Sequence, residues 1–166
     1  RGRVSEGYKT FLGLCSHEYF HSWNVKRIQP DIPYDLSVEN HTPLLWAFEG
    51  ITSYYDDLTL VRTGLITPQD YLELVGKSIT RVLRNPGRFQ QSTAESSFDT
   101  WTKFYKQDEN AANAIVSYYT KGALIALGLD LTLRQLSNHQ LTLDQVMQRL
   151  WQQHGKTGKG VAEFDI

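Results

Sequence analysis

Apolar residues return every three or four positions along most of this 166-residue chain, and nowhere do they alternate over a strand's length. That period belongs to helices and predicts a mainly α protein. Tyr8, Leu12, Cys15, Tyr19 and Trp23 mark one face of a helix over residues 5–25. Leu14, His17 and His21 lie on its other side, so this helix is expected to be buried on both. Pro30 and Pro33 end it and open an irregular connection to Thr42. A second helix is predicted over 43–62, with Leu45, Phe48, Thr52 and Tyr55 as its stripe and Gly64 as its stop. Thr67-Pro68 reads as an N-cap followed by proline in the first turn of a third helix reaching about Leu83.

Residues 85–99, rich in Asn, Gly, Gln and Ser, read as a long surface loop, and a short helix is expected over 98–106. Another helix is predicted over 114–136, its core face being Val116, Tyr119, Ala123, Ala126, Leu129 and Leu133. Gly122 and Ala126 would let a neighbouring helix come close. Thr142 with Gln145 forms a capping box that starts a last helix ending near His154. The four tryptophans, Trp23, Trp46, Trp101 and Trp151, read as core.

Composition narrows the function class. The chain is 40% apolar and 21% charged, ordinary for a globular domain with its own core. A net charge of −1 gives no footing for a nucleic-acid or membrane surface. A single cysteine, Cys15, excludes an internal disulfide and reads as inert packing. No apolar run reaches membrane-spanning length. Arg1 in place of Met, and the new segment at 161–166, read as a piece of a longer polypeptide. The compartment stays open, with the cytoplasm slightly favoured.

Chemistry enters in the first helix. His17 and His21 of HEYFH are four residues apart, so both rings leave one helix face one turn apart. That spacing suits two ligands of one tetrahedral zinc. Glu18 lies about 100° round the helix, placed to touch a water on the metal without ligating it. A random HExxH is expected about 0.01 times in a chain of this composition. A third ligand is needed, and the candidates are Asp31, Asp35, Glu39, His41, Glu49, Asp56 and Asp57. Glu49 stands out, because it falls inside the apolar run LLWAFEGITSYY, where an unpaired carboxylate is costly to bury.

The runs HEYFHSWNVKRIQP, LWAFEGITSYYDDL, SSFDTW and VSYYTKGALIALGLDL, in that order, resemble the glycyl aminopeptidase family of zinc metallopeptidases. That family belongs to the gluzincins, with thermolysin and aminopeptidase N as distant relatives. The resemblance covers essentially the whole chain. It implies a helical, thermolysin-like catalytic domain over residues 1–160, lacking its β-rich upstream part, with 161–166 beginning a following segment. It implies one zinc per chain on His17, His21 and Glu49, Glu18 as catalytic glutamate, and release of N-terminal Gly or Ala from peptides. A β-rich domain upstream and a PDZ domain downstream are expected in the full-length chain. The Tyr-x-Lys-Gly piece of VSYYTKG matches the segment that supplies a catalytic tyrosine in aminopeptidase N relatives, which makes Tyr119 the oxyanion donor.

Two further residues are expected to support the ligands, Asn24 three positions after His21 and Ser53 one turn after Glu49. In related aminopeptidases the substrate amine is held partly by a motif upstream of HExxH, and only 16 residues precede His17 here. A zinc endopeptidase of the same clan therefore fits the visible residues equally well. A zinc-stabilised scaffold that binds peptides without cleaving them is the alternative outside enzymes. Glu18 speaks against it, since a structural zinc site needs no base beside its ligands.

Overall fold

The first helix, α1 (Glu6–Phe20), begins where the Ser5 hydroxyl accepts the Tyr8 amide. In this computed structural model, which describes residues 4–33, 35 and 37–166, a π-helical turn at Trp46–Gly50 runs directly into α2 (Ile51–Arg62). There follow α3 (Pro68–Arg84), α4 (Thr93–Phe98), α5 (Ala111–Ala114), α6 (Tyr118–Leu136) and α7 (Leu143–Leu150). Among the described residues there is no β-strand, only two isolated bridges, Asn24 to Ile28 and Pro30 to Val161. The mainly α expectation holds.

Capping sets the starts as the sequence foretells. Thr67 and Asp70 close a reciprocal box at α3, and Thr142 and Gln145 do so at α7. Asp70 also pairs with the buried Lys9, which ties the start of α3 to α1.

One core lies between α2, α6 and α7, built on Ala47, Ile51, Tyr54, Tyr55, Ala126 and Leu143. A second gathers Ile28, Leu44, Phe48, Leu150 and Val161. Closest approach falls where α6 crosses the π turn. A Cβ on Gly50 would stand 2.6 Å from Gly122 Cα, and one on Gly122 would stand 2.7 Å from Trp46 O. No side chain fits between these backbones, so glycine is required on both sides.

Several expectations are corrected. The stripe of α1 is exposed, with Tyr8 at 54%, Tyr19 at 68% and Trp23 at 42%, and Cys15 is exposed with it. Leu14, on the other side, is 58% exposed as well; α1 meets α2 where Phe20 stacks on Tyr55 and His17 reaches Asp56, and no described element covers the stripe. On α6 the buried positions are Tyr118, Gly122, Ala126 and Asp130, while Leu129 is 42% exposed. The inner face follows the 118, 122, 126, 130 row set by the Gly122 crossing, and shares only Ala126 with the apolar pattern within this helix. Asp130 is buried because it is fully bonded, accepting from Tyr54 Oη, the Leu143 amide and Arg134 Nε. The stretch 85–99 is not a bare loop. It holds a 3₁₀ turn at Pro86–Phe89 and α4, whose start is a capping box of Ser92 and Glu95. Trp101 is 37% exposed rather than core.

Candidate active site

α1 and the π turn bring three ligand-type side chains to one point. Nε2 of His17 lies 3.1 Å from Glu49 Oε2, and Nε2 of His21 lies 3.2 Å from the same oxygen. One ligand atom from each residue falls within 4.8 Å of the others, the only such group of three among the described residues. The competing candidates do not join this group: Asp56 meets the outer nitrogen of His17, and Asp57 lines the neighbouring groove. His41, for one, turns Nδ1 to the Phe98 carbonyl at 2.8 Å and Nε2 toward Glu39.

Both outer ring nitrogens are occupied. His17 Nδ1 faces Asp56 Oδ2 at 3.3 Å, and His21 Nδ1 faces the Asn24 carbonyl at 2.8 Å. Proton donation from each Nδ1 to its oxygen leaves the two Nε2 lone pairs directed at the common point. Asn24 thus supports His21, but through its backbone. Its side-chain amide donates to Ala47 O, Phe48 O and Thr52 Oγ1 and fastens the end of α1 to the turn that carries Glu49. Val25, across the next peptide, holds φ at 126°, a strained conformation for a β-branched residue. The strain sits beside the carbonyl aimed at His21.

Ser53 does not support a ligand. It lines a water-sized cavity with Tyr54, Asp57 and Tyr71, and it has no hydrogen bond to either ring among the described residues. Asp56 serves instead, because it stands two turns beyond Glu49 and its side chain reaches the ring. The spacing of seven was the signal in the sequence.

Electrostatics match this geometry. Burial pulls the His17 imidazole down, but the bonds to Asp56 and Glu49 outweigh it and hold the pKa at about 9. Burial pushes Glu49 up, yet the bonds to both histidines overcome it and hold the carboxyl at about 2. His21 is raised as well, its bonds to Glu49 and the Asn24 carbonyl exceeding the opposing effect of burial. The cluster is therefore a carboxylate facing two imidazoles, a donor set that a divalent cation satisfies by replacing their protons.

Glu18 and Tyr119 share with His17 one groove of about 540 Å³, walled by α1, α2 and α3. Glu18 is exposed there. The Tyr119 ring lies 6.3 Å from that of His17 and is backed by Phe104 and Tyr118. Burial first, then the Glu49 charge, raise its phenol well above the ordinary tyrosine range, so it keeps its proton as a donor.

Helical fold and convergent donors together point to the peptidases. Residues 10–125 match the family model of the M61 glycyl aminopeptidases. The chain belongs to the M61 glycyl aminopeptidase family. It is similar to the crystal structure of an aminopeptidase N family protein from Idiomarina loihiensis, at 54% identity and a TM-score of 0.94. That likeness covers 98% of this chain and 28% of the other, so the chain spans less than a third of that relative's length. No curated protein matches the chain.

Proposed function

We propose that this chain carries the centre of a zinc-dependent peptidase, one that releases N-terminal residues, glycine and alanine foremost, from peptides. The observation that carries the reading is the meeting of His17, His21 and Glu49, with His17 opening on a groove that Glu18 and Tyr119 share. Two imidazoles and one carboxylate with no fourth protein ligand among the described residues suit one catalytic zinc per chain; a structural zinc would be closed by a fourth. The exopeptidase character and the preference for small residues rest on the family.

When bound, zinc supplies Lewis acidity toward a carbonyl and lowers the pKa of a water to about 7. The remaining work belongs to the side chains. Glu18, exposed in the groove next to His17, accepts the proton of the attacking water and returns it to the leaving amine. Tyr119 donates its phenolic proton in a hydrogen bond to the oxygen on which charge grows, an interaction stronger in the transition state than in the substrate. Asp56 and the Asn24 carbonyl hold the imidazoles in the tautomer that turns both Nε2 atoms inward.

Metal analysis and hydrolysis by the intact protein test this together. Wild type is expected to hold one zinc and His21→Ala to lose it; equal zinc in both would remove the site. Glu18→Gln is expected to keep zinc and abolish hydrolysis, and unchanged turnover would remove its role as base. Free peptides should be cleaved and N-acetylated ones spared; cleavage of the blocked forms would make the protein an endopeptidase.

A further inference from the structure

Beyond the metal ligands the groove continues between α1 and α3, and one of its side chains has no part in the chemistry above. Asp57 lines it next to Asp56. The two carboxylates differ in what they meet. Asp56 is bonded to His17 Nδ1 and accepts the backbone N–H of Asp57. The carboxylate of Asp57 is half-buried and has no hydrogen bond or ion pair among the described residues. Across from it stands Gly13 of α1, where an added Cβ would lie 3.6 Å from Asp57 Oδ1. The absence of a side chain at Gly13 keeps the acid open to the groove.

A carboxylate drawn partly out of water and set beside a second one is unfavourable unless a cation joins it. The groove's own cations do not do so. Lys9 is committed to Asp70, and Arg81, at the exposed edge on α3, forms no ion pair among the described residues. Burial, then the neighbouring Asp56, push the Asp57 carboxyl up to about 7, in keeping with a charge that lacks its partner.

We propose that Asp57 is a specificity-determining residue of this groove, receiving a cationic group of the peptide near the scissile bond. The inference rests on the peptidase reading above. The cation has two sources, the N-terminal ammonium or a basic side chain flanking the bond, and both offer the N–H donors and the charge that Asp57 lacks.

The test compares kcat/KM of the intact, zinc-loaded protein on Ala-Leu amide, its N-acetyl form, and versions with lysine on either side of the scissile bond. Wild type is expected to favour one cationic form over its neutral counterpart by about tenfold or more. Asp57→Asn is expected to collapse that ratio, and Asp57→Glu to retain most of it. The ratio is internal to each preparation, so a partly unfolded variant does not move it. Collapse in the free-against-acetylated pair assigns the ammonium, and collapse in a lysine pair assigns the side chain. Hydrolysis with every ratio unmoved by Asp57→Asn overturns this inference and leaves the peptidase reading standing. No hydrolysis by wild type of any substrate overturns both.

Discussion

Nδ1 of His17 lies 3.3 Å from Oδ2 of Asp56, while Nε2 of the same ring faces Glu49 at 3.1 Å. The first contact decides what the second nitrogen can do, since only an imidazole that carries its proton on Nδ1 has a free pair at Nε2. Asp56→Asn keeps the shape and removes the charge that fixes this tautomer. Zinc affinity is expected to fall about 10- to 100-fold, measured by competition with a chelator. Equal affinity would show that the ring orients itself without Asp56.

Tyr119 is expected to act on rate and leave metal holding alone. Tyr119→Phe removes the phenolic donor but keeps the ring packed between Phe104, Tyr118 and His17. On the intact protein kcat should drop about 10²- to 10³-fold with little change in KM and full zinc content. A larger effect on KM than on kcat would place the tyrosine in substrate binding.

Asp57 gives the fold a pH dependence with a definite sign. Its carboxyl is raised from 3.8 to about 7 by burial and by Asp56, so the unfolded chain releases this proton more readily than the folded one. The group costs no stability below the lower value. Its cost grows as pH rises between the two and is complete above the upper one. Asp57→Asn should therefore raise the urea midpoint at about pH 8 more than at about pH 4. An equal shift at both would mean that the carboxyl titrates normally.

Gly122→Ala forces a methyl group to within 2.7 Å of the Trp46 carbonyl and 2.9 Å of Gly50 Cα. Both neighbours are backbone, so the helices themselves must part. A loss of about 1–3 kcal/mol in denaturant unfolding is expected, with zinc affinity falling alongside because Glu49 adjoins Gly50. Ala in place of the exposed Gly76 on α3, which has open space, is the control and should be neutral or stabilising.

The candidate ligands and the helices that bear them are legible because both follow from local periodicity. The spacing of HEYFH and the misplaced charge of Glu49 in an apolar run need no knowledge of the rest of the chain. Thr67-Pro68 and Thr142 with Gln145 likewise announce helix starts through chemistry confined to four residues. What escaped depends on contacts distant in sequence. Asp130 carries no local signal of burial, which follows from Tyr54 and Leu143 meeting it. Asp56 reads as one of several candidate third ligands until His17 closes on it, 39 residues away in the chain. The α1 stripe has the pattern of a core face, and periodicity does not say whether another element of the chain comes to cover it. Ser92 and Glu95 carry a local signal too, a capping box inside a run whose polar composition reads as loop.

The widened turn at Trp46–Gly50 carries one more consequence, for insertions and deletions. A π turn holds one residue more than an α turn, and Glu49 takes its bearing from that extra residue. Excising any one residue from 44–48 would let the segment relax to ordinary α spacing and change which carbonyls of the turn face Asn24. Asn24, bonded to the carbonyls of Ala47 and Phe48, would lose its seat, and with it the alignment of α1 to Glu49. Loss of the candidate metal site thus needs no change of His17, His21 or Glu49, and a surviving HEYFH and Glu49 are evidence of function only when the count of residues leading into Glu49 is intact as well.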